Sequence, residues 1–211
     1  MTRMLPEEAG QMPIRLAAAS PRLKLLDIGA NENAIVEAIG RANALYADFL
    51  VLPELCLVGA TAGTLLKHPF ILNEVSAALA RIAERTKDSR VTTAVGLPYA
   101  INGTVRSCTA LLCGPRVYAI IPSRSEEPPF GFLPALDYTS ETAPMLSPIP
   151  RLDVVFAGRM FNKHPSLRTG YAVLMPSAFN ATANSDRIVQ NALIEYSART
   201  GAAVAYAAPG M

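Results

Sequence analysis

Few residues of this chain have both the type and the setting to do chemistry, and Glu54 is the first of them. Phe49-Leu50-Val51-Leu52 is a short apolar run of the kind a buried strand makes, Pro53 ends its hydrogen-bond ladder, and a single carboxylate follows. Ligands of an open α/β sheet bind at the carboxyl ends of its strands. A carboxylate partly desolvated there has its pKa raised enough to serve as a general base. Spacing alone leaves a second reading open, an ordinary solvated acidic side chain in a loop.

The other reactive types offer less. Cys56, Cys108 and Cys113 lie in apolar segments at unrelated spacings, which fits buried reduced thiols better than a disulfide framework or a zinc cluster. A nucleophilic thiol needs an electropositive, partly exposed setting that these runs do not supply, so none is nominated. His68 and His164 are far apart, without Cys or carboxylate neighbours at ligand spacing. No metal and no cofactor is expected, and both are read as surface or satisfied histidines.

Composition narrows the class. A net charge of +2 spread along 211 residues, with no basic block and no interleaved aromatics, argues against a nucleic-acid partner. No run of about 18 apolar residues exists to span a membrane. The stretch before Pro13 contains Glu7 and Glu8 and no apolar core of a secretory signal, so residues 1–13 are read as a loose leader. With reduced thiols, that reading places the protein in the cytoplasm. Residues 14–211 are expected to form one domain.

Elements able to position Glu54 follow from periodicity. Ile14 to Ala19 reads as a strand and Asn31 to Tyr46 as a helix, with Ile35, Ala38, Ile39, Ala42 and Leu45 on one face and Asn31 or Asn33 as cap. The strand Phe49 to Leu52 completes a β-α-β unit, whose crossover demands parallel strands. Pro69 opens a second helix that ends near Thr86-Lys87-Asp88. From Val91 the period becomes extended: Val91 to Tyr99, the Asn102-Gly103 hairpin signal, Val105 to Leu112, the turn Gly114-Pro115, and Val117 to Ile121. Residues 122–150 hold seven of the 17 prolines and are read as a surface loop, since no long helix or central strand tolerates them. Leu152 to Ala157 and Tyr171 to Met175 read as strands, Ser185 to Thr200 as a helix stopped by Gly201, and Ala202 to Ala207 as a last strand. The abrupt end at Met211, after Pro209-Gly210, suggests a truncated chain or one domain of a longer protein.

The segment Leu52-Pro53-Glu54-Leu55-Cys56-Leu57-Val58-Gly59, with Thr61 to Leu66 after it, resembles the signature around the first catalytic residue of the nitrilase (carbon-nitrogen hydrolase) superfamily. It is closest to the glutaminase domain of glutamine-dependent NAD synthetase, with Val58, Ala60 and Thr64 where Thr, Tyr and Asp are usual. Ala94-Val95-Gly96-Leu97-Pro98, Ser107 to Leu112 and Tyr196 to Ala203 extend the resemblance in the family's order. It implies an α-β-β-α sandwich with mixed sheets.

That family attacks an amide carbonyl with a cysteine thiolate, moves the proton with a glutamate and steadies the oxyanion with a lysine. The resemblance puts Glu54 at the glutamate. Its lysine frame, Val117 to Pro122, is followed here by Ser123; Arg124 comes one place later, on the other face of an extended backbone and with a different geometry from an ammonium. The cysteine frame, Leu152 to Phe156, is followed by Ala157, and no Cys, Ser or Thr lies between Asp153 and Asn162. Glu126 and Glu127 have no clear match to the family's further glutamate.

The expected function is therefore a glutaminase-like domain inert as an amidase and acting as an interaction or regulatory module. Its partners would be a second copy or a synthetase-type protein, with a small amide as a candidate ligand. The alternative is a glutamine amidohydrolase domain supplying ammonia for ATP-dependent NAD synthesis.

Overall fold

A computed structural model describes residues 14–123, 152–155, 172–178 and 185–209. Three parallel strands, β1 (Leu16–Ala18), β2 (Phe49–Val51) and β3 (Thr92–Ile101), begin the first sheet, in the register Ala18, Val51, Ala94. The period change after Val91 then turns the chain antiparallel. β3 pairs with β4 (Thr104–Cys113) and β4 with β5 (Arg116–Pro122), so the sheet is mixed and runs β1-β2-β3-β4-β5. Asn102 (φ 49°) and Gly103 (φ 77°) both lie in the left-handed region, as a two-residue hairpin of type I′ requires.

Two helices cover one face of this sheet. α2 (Pro69–Arg85) starts as the sequence suggests, with Pro69 in its first turn, and His68 caps it by accepting from the Phe70 N–H at 3.3 Å. α1 (Ile28–Ala44) starts a turn earlier than the Asn31 boundary, and its cap is Asp27, whose carboxylate accepts from the Ala30 N–H at 3.0 Å. Asn31 is not available for capping because it is buried. Its amide bonds Lys24 N–H and C=O, each at 2.7 Å, and the Leu57 carbonyl at 3.1 Å. Glu32, also buried, fastens the two helices together by accepting from Arg81 at 2.9 Å and Arg85 at 2.8 Å.

The second sheet is wholly parallel among the described residues: β6 (Leu152–Val154), β7 (Ala172–Pro176) and β8 (Ala203–Ala207), in that order. α3 (Ser185–Thr200) connects β7 to β8 and ends at Gly201 (φ 65°). Its Tyr196 is fully buried in a cluster with Val173, Met175 and Ala202.

Strand alternation assigns the layers. Leu50, Leu52, Val95, Leu97, Ala110 and Leu112 pack under α1 and α2. Val51, Ala94, Leu111 and Ile121 point the other way, onto Leu152, Ala172, Leu174, Ala205 and Ala207 of the second sheet. With α3 outside that sheet, the order is α-β-β-α, the arrangement the resemblance implies. Among the described residues no helix is long and apolar enough to cross a membrane.

Candidate functional site

Leu52 prolongs the β2 ladder by one bond, its N–H donating to Ala94 at 3.0 Å, and Pro53-Glu54-Leu55 then turns out of the sheet. Leu55 is fully buried at φ 56°, a left-handed conformation that an L side chain adopts only when its surroundings enforce it. Those surroundings are close. Gly96 of β3 lies so near the turn that a Cβ there would collide with Pro53 O and Leu55 N and stand 2.8 Å from the Glu54 carbonyl carbon. The Gly96 carbonyl accepts from the Leu57 N–H at 3.1 Å, and the Glu54 N–H donates to the Ser177 carbonyl, just past β7, at 3.0 Å. The turn is thus held from the first sheet on one side and the second on the other.

Glu54 is not a solvated loop residue: it is 6% exposed. Burial raises its pKa above the ordinary carboxylate range, and the Ser107 hydroxyl of β4 offsets part of that rise. That contact falls short of a well-formed hydrogen bond, since Ser107 Oγ and Thr109 Oγ1 are buried with no hydrogen-bond partner of good geometry among the described residues. The Ser107 carbonyl accepts from the Ser123 N–H at 2.8 Å. Ser107 therefore brings Glu54 and Ser123 to one end of the first sheet. Ala157, Arg124, Glu126, Glu127 and His164 lie outside the described residues.

The thiols fit the reading of buried cysteines. Cys56 and Cys108 are fully buried. Burial pushes each up to about 12, opposed at Cys56 by hydrogen bonding to the backbone of Gly96 and at Cys108 by the charge of Arg106; the Glu54 charge pushes Cys108 further up. Both are thiols, not thiolates, at neutral pH. Cys113 is six residues along β4 from Ser107, about 20 Å at strand rise. The described lysines, Lys24, Lys67 and Lys87, are all exposed. No group of three or more His, Cys, Asp or Glu among the described residues is arranged to hold a metal. What the site offers is a buried carboxyl group whose pKa burial raises, with hydroxyls around it.

Ser107 and Ser177 were not singled out from sequence, yet both carried a signal. Ser107 and Thr109 are hydroxyls at period two leading into the apolar end of β4, where buried polar atoms need a partner. Ser177, fully buried, repeats the pattern of Glu54: an apolar run, a proline, then a polar residue at the strand's carboxyl end.

No family model and no curated protein matches the chain. Solved structures do. The glutamine-dependent NAD+ synthetase of Cytophaga hutchinsonii is 20% identical with a TM-score of 0.73, over 94% of this chain and 36% of its own. That of Acinetobacter baumannii, in complex with ADP, is 14% identical with a TM-score of 0.69, over 91% of this chain and 38% of its own. An amidase from Nesterenkonia sp. AN1 in complex with butyramide is 20% identical with a TM-score of 0.72, over 93% of this chain and 76% of its own. The chain thus spans little more than a third of the two synthetases. At these identities the likeness is one of architecture, and on it, together with the four layers described above, the chain has the nitrilase-like α-β-β-α fold.

Proposed function

We propose that this chain is a nitrilase-fold domain that no longer hydrolyses amides and works as an interaction or regulatory module, with a second copy or a synthetase-type protein as its partner. In this reading Glu54 is the surviving general-base position, Ser123 stands at the lysine position and Ala157 at the cysteine position. The observation that supports it is the bond from the Ser123 N–H to the Ser107 carbonyl, which joins residue 123 to the strand whose Ser107 hydroxyl meets Glu54. A serine there lacks the positive charge that steadies an oxyanion in a water-poor site. Alanine has no nucleophilic atom, and the two buried thiols near Glu54 are pushed up to about 12. The relatives' amide and glutamine chemistry supports the choice of substrates to test.

Restoring both positions tests the assignment. The double substitution Ala157→Cys with Ser123→Lys is expected to be labelled covalently by an amide-mimicking electrophile, and the label should map to position 157. A folded double variant that stays unlabelled would contradict the assignment of these positions.

A further inference from the structure

The hydrogen bonds around Glu54 do more than place a carboxyl group. The Glu54 N–H donates to Ser177 O at 3.0 Å, and the Ser177 N–H donates onward to Ala207 O of β8 at 2.8 Å. From the other side Gly96 presses against the same turn, and Leu55 is held in a left-handed conformation. Among the described residues the second sheet meets the first through Leu152, Ala172, Leu174, Ala205 and Ala207, and the bond from Glu54 to Ser177 joins the two at the backbone.

We propose that the Pro53–Leu55 turn is a pH-responsive clamp between the two sheets, closed while Glu54 is a neutral carboxylic acid and loosened when Glu54 ionises. An ion at this position has lost nearly all its water and must regain some, and the way to regain it is to part the turn from Ser177. Among the described residues, the groups around this turn do not supply a competing switch. From β4 come the Ser107 hydroxyl and the Cys108 thiol, on which the charges of both Glu54 and Arg106 act; Ser123, at the end of β5, bonds to Ser107. From the second sheet come Ser177 and Tyr206, hydrogen-bonded to each other, with the charge of Asp186 of α3 acting on Tyr206. Cys108 is pushed up to about 12, and burial raises Tyr206 above the ordinary tyrosine value.

The sign follows from linkage. A carboxyl whose pKa is raised in the folded state contributes stability that is complete below the ordinary carboxylate value. That contribution is lost as pH rises through the folded value. The clamp therefore loosens toward alkaline pH.

Hydrogen exchange read residue by residue tests this. After correction for intrinsic exchange, protection of the Glu54 and Ser177 amides is expected to fall about tenfold or more between about pH 5 and about pH 9, while Leu97 and Leu111 hold theirs. In Glu54→Gln, which keeps the shape without the ionisation, the fall should shrink to less than about twofold. An equal fall in both proteins, or none in the wild type, would overturn the proposal. Should the variant not fold, the carbon-13 titration of the Glu54 carboxyl in the wild type decides instead: its midpoint must coincide with that of the protection loss. Amide hydrolysis plays no part in this readout, so its outcome is independent of the proposed function.

Discussion

Gly96 is the residue on which the position of Glu54 most depends, because its missing side chain leaves room for the turn. Adding one methyl there sets a Cβ against backbone atoms, which cannot rotate away. Gly96→Ala is expected to destabilise the protein by about 3 kcal/mol, the upper range for overpacking, with urea unfolding as the measurement. The Leu-Pro-Glu run made Glu54 legible as a carboxylate at a strand end. Its burial was not legible, because that depends on Gly96, Ser107 and Ser177, which reach it only through the pairing of β3 with β4 and the stacking of two sheets. The same distance in sequence hid what Ser107 meets, since its hydroxyl reads only as one of several polar side chains in β4.

Element boundaries turn on where the polar side chains spend their hydrogen bonds. Helical spacing placed most of the apolar face of α1, since Ile35, Ala38, Ile39 and Ala42 are all buried, but Leu45, read on the same face, is exposed past the helix end at Ala44, and two asparagines near its start offered a cap and neither took it. Asn31 instead satisfies the Leu57 carbonyl, a long-range demand invisible to local pattern. The two roles separate by substitution. Asp27→Ala should cost about 1 kcal/mol, as loss of an N-cap does, whereas Asn31→Ala should cost about 2 kcal/mol or more because buried backbone groups lose their partners. Urea midpoints that ranked them the other way would show that the helix start is Asn31 after all. Helix α2 and the hairpin were read well because Pro69 and Asn102-Gly103 act through their own backbone preferences and need no distant partner.

At the scale of the molecule, two sheets meet face to face and enclose a carboxyl group at their junction. The β-α-β start, the switch to antiparallel strands and the existence of the late strands were each legible from period and turn residues, while the parallel pairing of the late strands was not. That they form two stacked sheets came only with the family resemblance, because alternation tells which residues of a strand are buried and not against what. The fold is that of an amidase and of two NAD+ synthetases, while the described site presents a buried carboxyl group of raised pKa, hydroxyls and protonated thiols. Ammonia release from glutamine and from butyramide by the purified chain tests this contrast most directly. The expected result is no turnover above a heat-killed control across the pH range in which the chain is folded. Release that is abolished by Glu54→Gln would contradict it and return Glu54 to work as a catalytic base.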